Sequence, residues 1–105
     1  MPVFMEITKS KVKGKKWTAT FSHFVDGKKK KIKTVSFGSA GMADYTLSKD
    51  KDQRRRYIER HNPKTTKENW NDYMSAGALS RYLLWGAYTS LDKNISAYKR
   101  KFKLK

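Results

Sequence analysis

The sequence has no cysteine, only two prolines, two histidines and nine acidic residues, and no long hydrophobic run. Without cysteine there is no disulfide framework and no thiolate metal site. His23 and His61 are far apart in sequence, so a dedicated zinc site is not expected, and neither is any other metal or cofactor. No apolar stretch approaches the roughly 18 residues of a membrane-crossing helix. The first residues also lack the apolar core of a secretory signal, which leads to the expectation of a soluble, intracellular chain.

What is present is positive charge. Twenty-five Lys and Arg against the nine acids give a formal net charge of +16 and a pI near 10.2 in 105 residues. Self-repulsion of that size is offset when a polyanion supplies the counter-charge, and the same field steers association with phosphate backbones. The excess is spread over both halves, so no detachable basic tail accounts for it. Aromatic residues make up 13% of the chain, unlike a disordered basic segment. The length suits one domain spanning residues 1–105 with one modest core.

The patterning changes near residue 45. Before it the residues alternate, and after it they recur at helical spacing, which predicts an α+β domain with strands over about 1–37 and helices over about 48–103. Val3, Met5 and Ile7 mark a short first strand. Lys16–Val25 and Lys28–Phe37 flank Asp26-Gly27, a dipeptide suited to the positive φ angles of a two-residue hairpin turn. The simplest register puts Trp17, Ala19, Phe21, Ile32 and Thr34 on one face. Thr18, Thr20, Ser22 and the lysines 29, 31 and 33 fall on the other. Gly38–Ala43 reads as a connector rather than a phosphate cradle, because it lacks the P-loop lysine and spacing.

Helices are expected at Lys49–His61 with Ser48 as N-cap, at Ala76–Trp85 with Ser75 as N-cap and Gly86 as stop, and at Ser90–Phe102. A shorter helix is expected to open with a Thr65–Glu68 capping box and run through Trp70 and Met74. Ala76–Trp85 is apolar nearly all round and is the expected central helix. The result is a hairpin or three-stranded antiparallel sheet packed on three to four α-helices.

The densest positive patch is KKKKIK at residues 28–33, whose alternate lysines Lys29, Lys31 and Lys33 can follow phosphates along a ribbon. Lysines on an exposed strand also prevent edge-to-edge aggregation, which is the competing explanation. Arg54, Arg55 and Arg56 point about 100° apart on a helix, and Asp52/Arg56 and Arg55/Glu59 have ion-pair spacing. Arg60 is therefore the best phosphate contact there, with Arg100 as its counterpart on the last helix. Asp50, Arg54, Tyr57 and His61 form an aligned row, either a recognition stripe or a hydrogen-bonded seam against the sheet or central helix. Asp44, Asp50 and Asp52 suit cap and dipole roles better than two-metal catalysis, so no catalytic residue is assigned and no enzyme is expected.

Residues 31–102 contain KIKTVSFGSAGMADYTLSKD, RRRYIERH, SAGALSRYLLWG and AYKRKF. This combination resembles a family of short, basic, functionally uncharacterised proteins of nucleocytoplasmic large DNA viruses, the giant viruses. The resemblance implies a viral setting, in the factory in the host cytoplasm or nucleus and in the virion, and no reaction. Together with the charge it leads to the expectation of a non-enzymatic protein that binds nucleic acid, DNA ahead of RNA. Its contacts would be mainly to phosphates and its sequence specificity low. The alternative is an internal virion or minor capsid protein whose basic surface meets acidic protein partners or the inner membrane.

Overall fold

The computed structural model describes residues 2–105. Three strands form one antiparallel sheet in the order β1 (Phe4–Lys9), β2 (Lys15–Val25) and β3 (Lys28–Ser39). Four helices follow: α1 (Tyr45–Ser48), α2 (Lys51–Arg60), α3 (Ala76–Leu79) and α4 (Leu91–Phe102). α3 runs directly into a π-helical turn, Ser80–Leu84. This is the expected α+β architecture, strands first.

The β2–β3 hairpin turns at Asp26-Gly27 with φ of 53° and 76°, the two positive angles of a type I′ turn. Its register departs from the simplest one. Phe21 pairs with Lys33 and Ser22 with Lys31, so Ile32 is an extra residue in a β-bulge. The shift places Val35 and Phe37, rather than Thr34 and Ser36, opposite Ala19 and Trp17. Phe37 is buried, whereas Ile32 stays 41% exposed. Hydrophobic matching explains the choice, because the bulge turns a valine and a phenylalanine toward the core instead of a threonine and a serine.

Met5, Ala19, Phe21 and Phe37 form the inner face of the sheet and pack with Leu79, Leu83 and Tyr98. The outer edge of β1 does not stay open. Lys105 N–H donates to the Val3 carbonyl (2.8 Å), and Met5 N–H donates to the Lys105 carbonyl (2.9 Å). The C-terminus thus adds a short pairing that blunts the edge.

Two expectations about helix starts need correction. Ser48 is not the cap of α2. It ends α1, Lys49 adopts a left-handed conformation (φ 56°), and the Asp50 carboxylate accepts from Asp52 N–H and Gln53 N–H. Asp50 replaces Ser48 because a carboxylate meets the positive helix end better than a hydroxyl does. The helix expected from Thr65 to Met74 is absent: residues 62–75 are turns, bends and irregular backbone, and Glu68 is drawn to His61 instead of to a cap. Ser75 caps α3 as expected, through Ala78 N–H, and Ser90 caps α4 through Lys93 N–H.

The π turn ends where three side chains consume the freed backbone groups. Arg54 Nε donates to the carbonyls of Trp85 (3.1 Å) and Gly86 (2.8 Å), and an Arg81 guanidinium nitrogen donates to Trp85 (2.9 Å). Buried Asn94 donates to the Leu83 and Tyr88 carbonyls and accepts from Tyr88 N–H. Gly86 is required here by close approach, since a Cβ would lie 2.2 Å from the Tyr82 carbonyl oxygen.

Candidate nucleic-acid interface

Two regions follow from this framework, the outer face of the sheet and a cleft at its far end. Because side chains alternate, the residues paired between the core positions point away from the helices. From β1 these are Phe4, Glu6 and Thr8; from β2, Thr18, Thr20, Ser22 and Phe24; from β3, Lys29, Lys31, Thr34 and Ser36. Ser22, flanked by Phe4 and Lys31, is buried, and the rest are half-exposed or exposed. Phe24 stands 47% exposed, edge-to-face with Phe4 at 5.3 Å.

The lysines of residues 28–33 are all exposed. Lys29 Nζ meets Glu6 Oε1 at 2.6 Å and holds that carboxyl below its ordinary pKa, first through the hydrogen bond and then through charge. Lys28, Lys30, Lys31 and Lys33 have no ion-pair partner among the described residues. The bulge breaks the expected ladder: Lys29 and Lys31 share the outer face, but Lys33 sits opposite Phe21 on the other side. Positive charge therefore surrounds the hairpin instead of lining one face.

The remaining expected contacts are not brought to this patch. Arg60 is exposed at the end of α2 and lines the cleft with Lys15 and Ser39, a pair at the end of the sheet away from the turn. At about 3.3 Å per residue, Ser39 lies roughly 33 Å along β3 from Lys29. Arg100 lines a separate hollow on α4 with Tyr88, Asp92, Lys93 and Ser96.

The cleft encloses about 520 Å³ between the end of the sheet, α2, the loop carrying Glu68 and the π turn. One wall is a ring stack. Tyr57 lies 4.1 Å from His61 (21° between planes) and 4.5 Å from Trp85 (7°). Two near-parallel rings that close cannot share one face of Tyr57, so they flank it. His61 Nδ1 is 2.7 Å from Glu68 Oε2. Burial raises the Tyr57 hydroxyl to a pKa of about 12, with the Glu68 charge as the second cause. Below, Lys16 and Asp44 form a nearly buried ion pair at 2.6 Å, and Asp44 also accepts from Thr46 N–H, tying α1 to β2.

The row Asp50, Arg54, Tyr57 and His61 therefore resolves mainly as a seam. Asp50 caps α2, Arg54 grips the π turn, and Tyr57 stacks on Trp85. His61, with its side chain 41% exposed, reaches solvent beside the cleft. The three clustered acids have structural partners: Asp44 and Asp50 cap helices, and Asp52 faces Arg55 at 3.7 Å. Glu68 is the functional candidate that sequence reasoning misplaced, since its i+3 spacing from Thr65 matches a capping box.

No helix of the described residues is long and apolar enough to cross a membrane. No curated protein and no solved structure matches the chain. Residues 5–61, from β1 to the His61 ring beside the cleft, match a family of unknown function, DUF5754. That match spans more than half of the 105 residues, and the chain belongs to this family.

Proposed function

We propose that this protein binds nucleic acid, DNA ahead of RNA, by phosphate contacts from the lysine-rich β2–β3 hairpin and the outer face of the sheet. Binding is non-catalytic and shows little sequence preference. The observation that carries this reading is the cluster of exposed lysines at residues 28–33, of which only Lys29 is paired with an acid among the described residues. Unpaired cations at that density release counterions on meeting a phosphate backbone, which is the main source of sequence-independent affinity. A two-stranded ribbon also fits a major groove about 12 Å wide. No helix here carries a recognisable base-reading motif, which is why we assign low specificity. The resemblance of residues 31–102 to giant-virus proteins supports a place in the viral factory and the virion.

A second reading has one observation in its favour. Phe24 and Ile32 are exposed on the same hairpin, as expected of a virion protein that meets protein partners. Fluorescence-anisotropy titrations against duplex DNA, single strands, RNA and anionic vesicles separate the two. Replacing Lys31 and Lys33 with Gln should weaken DNA binding at physiological salt by tenfold or more and leave the melting temperature unchanged. Undiminished affinity would leave those lysines as guards against aggregation.

A further inference from the structure

We propose that the cleft at the far end of the sheet binds one nucleoside monophosphate unit, with its base on His61 and its phosphate between Lys15 and Arg60. The proposal goes beyond the hairpin surface and stands on separate geometry. Three rings are stacked in the order Trp85, Tyr57, His61. Trp85 is buried at the inner end, and both faces of Tyr57 are covered. His61 is the outer end of the stack, with one face against Tyr57 and 41% of its side chain exposed. Its Nδ1 is held by Glu68, which fixes the ring plane. A planar base extends this stack without rearrangement, and a base on an aromatic ring contributes roughly 1–3 kcal/mol in single-strand binders.

The rest of the wall suits the remainder of such a ligand. Lys15 and Arg60 line the same cleft and have no ion-pair partner among the described residues, so their charges are available to a phosphate. Gln53, Ser39 and Ser80 supply neutral hydrogen-bonding groups. The acids that line the cleft, Asp44 and Glu68, are each engaged, by Lys16 and by His61. A volume of about 520 Å³ falls within the usual range for small-ligand sites. The π turn contributes Ser80 and Leu84 to the wall, and π segments frequently occur at functional sites.

The same chemistry is offered by a free nucleotide and by the terminal nucleotide of a strand, so the test has an arm for each. Amide chemical shifts of the whole protein are followed during titration with AMP, adenosine, inorganic phosphate and a short 5′-phosphorylated oligonucleotide. AMP is expected to shift cleft residues and to bind at least tenfold more tightly than adenosine or phosphate alone. Arg60→Gln and Lys15→Gln, both at exposed positions, should each weaken AMP at least threefold. His61→Phe, which keeps a ring on Tyr57, should retain the preference for AMP over phosphate, whereas His61→Ala should lose it. An oligonucleotide that binds more tightly than AMP, with the same variant effects, identifies a strand end as the source. Equal or weaker binding identifies a free nucleotide. Either result supports the site. Shifts confined to the hairpin, or equal affinity for AMP and phosphate, would overturn this proposal and leave the hairpin reading intact. Failure of the hairpin variants alone would do the reverse.

Discussion

Tyr57 lies 4.5 Å from Trp85 with ring planes 7° apart, so α2 is fastened to the π turn through a single aromatic contact. Arg54, one turn earlier, binds the Trp85 and Gly86 carbonyls and reinforces the same junction. Trp85 is only 8% exposed. Trp85→Ala should therefore destabilise the fold by roughly 3–5 kcal/mol, the usual cost of truncating a large buried aromatic. Thermal unfolding followed by circular dichroism measures this, and an unchanged melting temperature would contradict the junction.

Gly86 is the sterically tightest of the glycines. A Cβ there would meet the Tyr82 carbonyl at 2.2 Å and Asn94 Oδ1 at 2.8 Å, both in rigid surroundings. Gly86→Ala should cost at least the roughly 1–3 kcal/mol of an overpacked core. Gly77→Ala should cost less, because its nearest neighbour is the Glu68 carboxylate, the end of a flexible side chain, at 2.9 Å. Chemical denaturation of the two variants side by side gives the order, and equal costs would contradict the close approach at Gly86.

Much of this fold was legible in the sequence, and the reasons differ by element. Asp26-Gly27 announced the hairpin because few dipeptides tolerate two positive φ angles. Ser75 and the apolar run at 76–85 announced α3, and the apolar spacing from Leu91 to Phe102 announced α4, but the change to a π turn at Ser80–Leu84 leaves no mark in the sequence. The bulge at Ile32 was not legible: one extra residue leaves no local mark, and only the need to bury Phe37 instead of Ser36 selects it. The loop at 62–75 misled because Thr65 and Glu68 have capping-box spacing, while the partner that claims Glu68, His61, becomes visible only in three dimensions. The cleft depends on that tertiary contact and on the meeting of β3 with α2, so spacing alone did not reveal it. Arg60 stands out in the sequence by its charge, but its distance from Lys29 follows from the topology.

The Tyr57 hydroxyl, raised from 10 to about 12 chiefly by burial, gives a pH dependence of definite sign. The neutral phenol is the form that the folded state prefers. Its contribution is complete below pH 10 and is lost as the pH rises from 10 through 12. Tyr57→Phe keeps the stack and removes the ionisation. Between pH 9 and 11.5 the variant should lose less melting temperature than the parent, the lysine titrations being common to both. Parallel losses would contradict the burial of this group.

Glu6 is the single acid on the outer face of the sheet, and it occupies Lys29. Glu6→Gln should free that lysine and strengthen DNA binding several-fold at about 50–100 mM salt. The salt slope should steepen by up to about 0.9, the equivalent of one added phosphate contact. Anisotropy titrations at several salt concentrations test this, and an unchanged affinity would show that the outer face does not meet the DNA.

The most direct test of the account is the slope of log affinity against log salt for a duplex of arbitrary sequence. Four free hairpin lysines, or five if Lys29 leaves Glu6, predict a slope between about −3.6 and −4.5. Lys31→Gln and Lys33→Gln should each reduce its magnitude by about 0.9, with no change of preference between sequences. No binding to DNA or RNA at about 50 mM salt, or an affinity that does not fall as salt rises, would contradict the central claim. Salt-resistant binding to a virion protein would then favour contact through Phe24 and Ile32, because burial of apolar area is little weakened by salt.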